Sequence, residues 1–348
     1  MSETTSRPRR RRTFSAFGEV RRMPSEYEVV TQGQNWTVRK NRASAFESNP
    51  STPANLWFRA YRDRTPLAAD DWEKFREPDS LTYQMYVRTQ DESQNKIDGV
   101  LQEYAALGAD KLLAPGWLAT LGALYTPSRY LVHGLQQTEA YVGYMAPTAY
   151  LTNPAGLSTA DFLRRVTTIA YRTRELQLAH PGLGFGTGRE RERWEDDPAW
   201  QPARRAVETA LVTYDWGEAF TALNLVLAPT LDEVLSRQFA QAARANGDQV
   251  DALIADFLHE DNDRRTRWAT AAARFAIGQR PANRDVLRGW FSRWAPLADE
   301  AAAGLAGIPA TLPEHPVSAQ EVLASAVGAR ERLLAAILAG DEAAAGQR

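Results

Sequence analysis

The chain contains no cysteine. That removes disulfides, thiolate metal sites, iron–sulfur clusters and cysteine nucleophiles together, and it suits a reducing compartment. Histidine is nearly as scarce: His133, His180, His259 and His315 are the full set. No apolar run reaches the roughly 20 residues that span a bilayer. The nearest, Ala219 to Leu231, is shorter and holds Asn224 and Pro229. Charge of one sign is lacking too. A net charge of −2 points away from nucleic acid or an anionic membrane as the main partner. Lysine is rare beside arginine and alanine is abundant, a pattern of GC-rich bacterial coding rather than of arginine-specific recognition. Arg7-Pro-Arg-Arg-Arg-Arg-Thr-Phe14 resembles the charged start of a twin-arginine export signal, but Gly18-Glu-Val-Arg-Arg22 follows where an apolar stretch is needed. The expectation is a cytoplasmic protein, with Arg9 to Arg12 as a solvated tail.

What is present is enough apolar material, 44% of 348 residues, to bury a sizeable core. Residues 1–66 read as an extended N-terminal arm, rich in proline and polar residues and without helical periodicity. It is dotted with aromatic anchors that suit packing on partner subunits: Phe14, Phe17, Tyr27, Trp36, Trp57 and Tyr61. Residues 67–348 read as helix after helix, with no hairpin signal. The spacing predicts helices over Leu81–Leu107 and from Pro115 to Met145 with an interruption at Pro127. A third opens at a capping box, Ser158-Thr-Ala-Asp161, and stops at His180. A stretch from Pro198 to Asn246 breaks at Pro229. Then come Asp248–Gly278, Ala282–Leu305 with an interruption at Pro296, and Ser318–Leu338 with a stripe of Leu323, Val327, Leu334 and Ile337. Long helices with short connections make an all-α bundle, and Ala219–Leu231, apolar nearly all round, marks a central helix.

A bundle of this length invites a test for a di-iron site, which takes Glu from two helices and Glu-x-x-His from two more. Tyr130, Gln177, Asp256 and Leu312 stand three residues before the four histidines, so no Glu-x-x-His exists. Asp256 and His259 read as a capping or salt-bridged pair. Glu175, Asp215 and Glu218 lie in apolar surroundings where a lone charge is costly. With Arg172 (or Arg174) as partner they read as a buried polar layer, so catalytic, cofactor and metal residues are all expected to be absent. The rivals are a free-standing ferritin-like oxidase using Glu175, Asp215, Glu218 and His259 as a degenerate metal site, and a generic helical scaffold. Gly182-Leu-Gly-Phe-Gly-Thr-Gly188 fails the dinucleotide spacing and reads as a loop. Arg189 to Arg193 reads as a solvated helix start, and Trp290 and Trp294 as a packing pair.

Eight strings in register carry a resemblance: Met23 to Val30, Asn55 to Tyr61, Asp79 to Tyr83, Tyr125 to Leu131 with Met145 to Pro147, Ala170 to Leu176, Trp194 to Trp200, Tyr214 to Phe220 and Trp294 to Asp299. They resemble the β subunit of the hydroxylase of bacterial multicomponent di-iron monooxygenases, in the toluene, alkene and isoprene branch, over about residues 12–305. The resemblance implies a ferritin-like (ribonucleotide reductase-like) bundle without iron ligands. It implies pairing with a catalytic α subunit and a small γ subunit, as a dimer of αβγ units. The di-iron centre would sit in α. A reductase, a Rieske ferredoxin and an effector protein would complete the system, with FAD and [2Fe-2S] in the electron-transfer components. Such a system inserts one oxygen atom from O2 into an aromatic or alkene hydrocarbon. Beyond about Leu305 no likeness is recognised.

Overall fold

The computed structural model describes residues 25–31, 53–312 and 315–339. Among them there is no strand. Two short helices, α1 (Glu26–Thr31) and α2 (Pro53–Tyr61), lie within residues 1–66. Phe14, Phe17 and Trp36 fall outside the described residues.

The bundle begins with α3 (Tyr83–Leu107). The Thr82 hydroxyl accepts from the Met85 N–H at its start, and Gly108, at φ 64°, ends it in the left-handed conformation. Pro115 opens α4 (Pro115–Thr120), where its missing N–H costs nothing. A π turn (Leu121–Tyr125) and α5 (Ser128–Met145) continue the same rod. Then α6 runs from Ala149 to Ala179, antiparallel to α5 and packed along it. Thr148 caps it, so Pro154 lies inside the helix and Ser158 in mid-helix. The expected capping box at Ser158 is therefore wrong. The Ser158 hydroxyl instead accepts the Trp268 indole N–H at 3.0 Å.

Two short helices, α7 (Arg189–Asp196) and α8 (Gln201–Leu211), lead to a break at Val212–Asp215 that the sequence did not signal. Glu190 of α7 is buried and accepts the Gly186 N–H at 2.6 Å, so this helix start is not wholly solvated. A composite helix follows: α9 (Trp216–Phe220), a π segment (Thr221–Leu227), α10 (Ala228–Asp232), a second π segment (Glu233–Gln238) and α11 (Phe239–Ala245). Pro229 does not break it. The wider π turn before it relieves the clash its ring would make one α turn back. As expected, Ala219–Leu231 is the buried centre.

Asp248 caps α12 (Gln249–Gln279), and α13 (Asn283–Ala306) passes through Pro296 without interruption. The last helix, α14 (Ala319–Leu338), buries Val322, Ala326, Arg330, Leu333 and Ile337. Of the expected stripe Ile337 is buried, while Leu323, Val327 and Leu334 are half-buried beside Val322, Ala326 and Leu333, and Arg330 turns inward to pair with Asp299. Four rods, α4–α5, α6, α9–α11 and α12, form the core. Helix α3 closes it against α6 and α12, and α8, α13 and α14 cover the other side.

Five tryptophans hold these layers together, each fully buried with its N–H satisfied on another element. Trp117 donates to Asp248 at 2.8 Å, Trp200 to the Ala123 carbonyl at 2.8 Å and Trp216 to the Val142 carbonyl at 3.0 Å. Trp268 donates to Ser158 and Trp294 to Glu218, each at 3.0 Å. Each ring contributes a large apolar surface and the indole donor fixes its orientation. At Gly134 of α5 a Cβ would meet Val207 Cγ1 at 2.2 Å, so α8 seats against bare backbone there. No described helix is long and apolar enough to cross a membrane.

Candidate functional site

The residues expected to form one buried polar layer form two separate clusters. Arg172 of α6 is sealed from water, and its guanidinium is filled by three carboxylates. Nε donates to Asp251 at 2.9 Å, one terminal nitrogen to Glu175 at 2.6 Å and Asp110 at 3.1 Å, and the other to Asp110 at 3.0 Å and Asp251 at 3.2 Å. Arg174 takes no part and donates to Gln177. Next to this cluster, burial and then the charge of Asp251 push the Asp248 carboxyl well above the usual carboxylate range.

Asp215 and Glu218 lie apart, at the start of α9. Asp215 is the cap, accepting the Glu218 N–H at 2.9 Å and the Thr65 hydroxyl at 2.7 Å. Glu218 accepts from Trp294 and pairs with Arg293 at 2.9 Å. Asp256 and His259 do not pair with each other. Asp256 meets Arg244, while His259 accepts from Arg237 at 2.8 Å and stands 3.4 Å from Asp263.

A third charge network, between the core helices, was missed by the sequence reading. Asp161 of α6 accepts from Tyr86 at 2.8 Å and Gln90 at 2.9 Å, both on α3, and pairs with Arg264 of α12. Asp261 of α12 pairs with Arg164 at 2.5 Å and Arg264 at 3.0 Å. One step inward, Asp232 takes Arg165 of α6 at 3.0 Å and Arg265 of α12. Burial and then the neighbouring Asp261 hold the Asp161 carboxyl above its usual range. A legible signal existed: Asp161-Phe-Leu-Arg-Arg165 and Asp261-Asn-Asp-Arg-Arg265 repeat one pattern on two core helices. An acid and a base three apart share a helix face, the spacing that Glu-x-x-His uses.

Near these, Glu139 of α5 is fully buried and has Asn224 as its hydrogen-bond partner, which donates at 2.8 Å from the first π segment. Burial pushes its carboxyl up to about 8, so it is mostly protonated at neutral pH.

This donor set does not fit a di-iron centre. The carboxylates of Asp161, Asp232 and Asp261 each lie against one or two guanidiniums, those of Arg164, Arg165, Arg264 and Arg265. A dication placed among them would meet fixed positive charge and occupied lone pairs. None of the histidines supplies a ligand. His133 bonds Gln137, His180 the Asp110 carbonyl, His259 the groups above, and His315 is exposed. Among the described residues no three His, Asp or Glu side chains group as a metal site.

At the surface, α2 carries an aromatic box. The Trp57 ring lies 4.6 Å from Tyr61 and 4.9 Å from Tyr214, and its N–H donates to Tyr141 at 3.0 Å. Tyr27, in contrast, is buried against Tyr150 of the same chain, 5.9 Å between ring centres.

Residues 57–280 match the methane/phenol/alkene hydroxylase family. A relative from Ectopseudomonas mendocina, the toluene-4-monooxygenase system hydroxylase component subunit beta, is 40% identical over 84% of this chain and 88% of its own length. A chain in the structure of toluene 4-monooxygenase with toluene in its resting active site superposes with a TM-score of 0.76. It is 37% identical, over 82% of this chain and 94% of that one. A chain of the xenon-pressurised phenol hydroxylase of Pseudomonas sp. OX1 shares the fold at a TM-score of 0.77 and 20% identity, covering 98% of each chain.

Proposed function

Because the chain belongs to the methane/phenol/alkene hydroxylase family, as a hydroxylase subunit of the β type, we propose that it supports a catalytic partner whose reaction it does not itself perform. The observation that carries this is the 40% identity, over 84% of the chain, to a named hydroxylase β subunit. The interior supports it independently. Where a metal-binding bundle needs free carboxylates and histidines, this one has ion pairs closed by arginine.

In this reading the partner is an α subunit that holds the di-iron centre, joined by a small γ subunit as a dimer of αβγ units. A reductase with FAD and [2Fe-2S], a Rieske ferredoxin and an effector protein serve the complex in the cytoplasm. Its substrate class is an aromatic or alkene hydrocarbon. Residues 1–66 act as an arm on the neighbouring subunits, with residues 67–348 as the bundle domain. Trp57 keeps aromatic surface open for such contact, with the half-buried Tyr61 packed beside it.

The test is co-expression of the full chain with an α-type subunit that carries two Glu-x-x-His motifs, and with the γ subunit. The complex is expected to contain iron and, with its electron-transfer components, to oxidise toluene or a small alkene. The chain purified alone is expected to contain none. Stoichiometric iron in the lone chain would overturn the reading in favour of a free-standing oxidase.

A further inference from the structure

The four core rods meet at a small cavity of about 20 Å³. Tyr125 and Ser128 reach it from the α4–α5 rod, Arg165 from α6, Ser236 from the composite helix and Ala255 from α12. Every residue on its wall is buried. Two of them lie in wide turns: Tyr125 closes the π turn Leu121–Tyr125, and Ser236 sits in the second π segment. Such turns inside long helices recur at functional sites.

The Tyr125 hydroxyl is sealed from water and has no hydrogen-bond partner among the described residues. Its ring is fixed by stacking on Phe239, 5.2 Å between centres and 13° from parallel. The charged groups around it are already engaged. Arg165 gives its terminal nitrogens to Asp232 at 3.0 Å and to the Leu235 carbonyl at 2.9 Å. Asp251, whose charge acts on the hydroxyl, is closed on Arg172, and Asp248 on Trp117. Burying a hydroxyl without a partner is costly. Phenylalanine would give the same stacking without that cost, so the hydroxyl calls for a partner that these side chains do not supply.

Size, polarity and charge each narrow what that partner is. A buried water needs about 10–15 Å³ and two to four polar neighbours, so the cavity takes one and not two. Ser128 gives its proton to the Tyr125 carbonyl at 2.5 Å and keeps lone pairs with which to accept. Ser236 accepts from Asn262 at 3.4 Å and keeps its own proton to give. With Tyr125, these hydroxyls meet the count. An ion is disfavoured in either sign, since Arg165 stands on the wall and the charge of Asp251 reaches the same hydroxyl.

We propose that this cavity is a binding site for one internal water molecule, held by Tyr125, Ser128 and Ser236 and shared by the four rods. Ser236 connects through Asn262 to Arg265, and so to Asp232. The water thereby ties the Tyr125 turn to the charge network at the centre of the bundle. Its binding needs no other subunit.

A crystal structure of the full chain, alone or assembled, decides the matter at a resolution where other buried waters are visible. One water peak within hydrogen-bond distance of Tyr125 Oη is expected. A cavity without that peak, or one that takes up xenon under pressure with no water to displace, overturns the proposal. Tyr125→Phe gives a second reading through its sign. A hydroxyl bound to water loses a bond on removal, so the melting temperature of the full chain should fall by roughly 2–4 °C. A hydroxyl without a partner loses only its burial cost, so an unchanged or higher melting temperature overturns the proposal. Should the variant fail to fold, the peak in the unaltered chain still decides.

Discussion

Arg265 and Asp232 form an ion pair in the middle of the bundle, between α12 and the composite helix, both side chains nearly sealed from water. Arg165 reaches the other oxygen of the same carboxylate from α6, so one anion serves two guanidiniums. Asp232→Asn would leave both cations buried without their counter-ion. It is expected to destabilise the chain by about 3–5 kcal/mol, measured by urea unfolding. Exchanging all three groups together, with Arg165→Met, Asp232→Leu and Arg265→Met, should recover most of that loss.

Glu139 gives a pH dependence of definite sign. Its carboxyl is raised by burial to about 8 in the folded chain, so between the ordinary carboxylate range and about pH 8 the native state holds a proton that the unfolded state has lost. Stability therefore falls as pH rises through that window, by a few kcal/mol in all. Glu139→Gln keeps an acceptor for Asn224 and abolishes this slope. Denaturant melts at pH 5 and pH 9 should differ less for the variant than for the unaltered chain.

Helix α1 is held by the opposite kind of group. Burial works against the Glu28 charge, but the Ser25 N–H and hydroxyl and the Arg76 guanidinium outweigh it, and the carboxyl stands at about 2. Its contribution is present at neutral pH and is lost as pH falls from the ordinary carboxylate range through about 2. Arg76 also stacks over Tyr150, 3.7 Å from the ring centre, the ring against which Tyr27 packs. Arg76→Ala should free α1 at neutral pH, seen as faster protease cleavage near residues 25–31 with the rest of the chain resistant.

Deleting residues 1–50 tests the arm. The truncated chain is expected to keep its helical content but to assemble poorly with the catalytic subunit, read by size-exclusion chromatography of the co-expressed complex. An intact complex with the truncated chain would remove the arm from the interface.

Much of the bundle was legible because long helices repeat one simple pattern. The helix over Leu81–Leu107, the start at Pro115 and the end at His180 needed only local rules. The prolines misled. Pro154, Pro229 and Pro296 sit inside helices, and the π segment before Pro229 depends on packing that no local pattern encodes. Asp215, read as a charge within an apolar helix, is that helix's cap, because the chain turns at Val212 without a glycine or proline to announce it. Arg172 with Glu175 was found because partners three residues apart can be read off a line. The Asp232 network was not, because its members stand 33 and 67 residues apart.

The twin Asp-x-x-Arg-Arg segments, with Asp232 between them, also set what single exchanges can do to this interior. Freeing Asp161, Asp232 or Asp261 as a ligand means exchanging an arginine first, and that leaves a buried carboxylate without a counter-ion it now has. Converting this interior to a metal-binding one must therefore cross strongly destabilised variants. The network works as a ratchet: with the arginines closed on those acids, each single exchange toward a metal site is penalised before any ligand is gained.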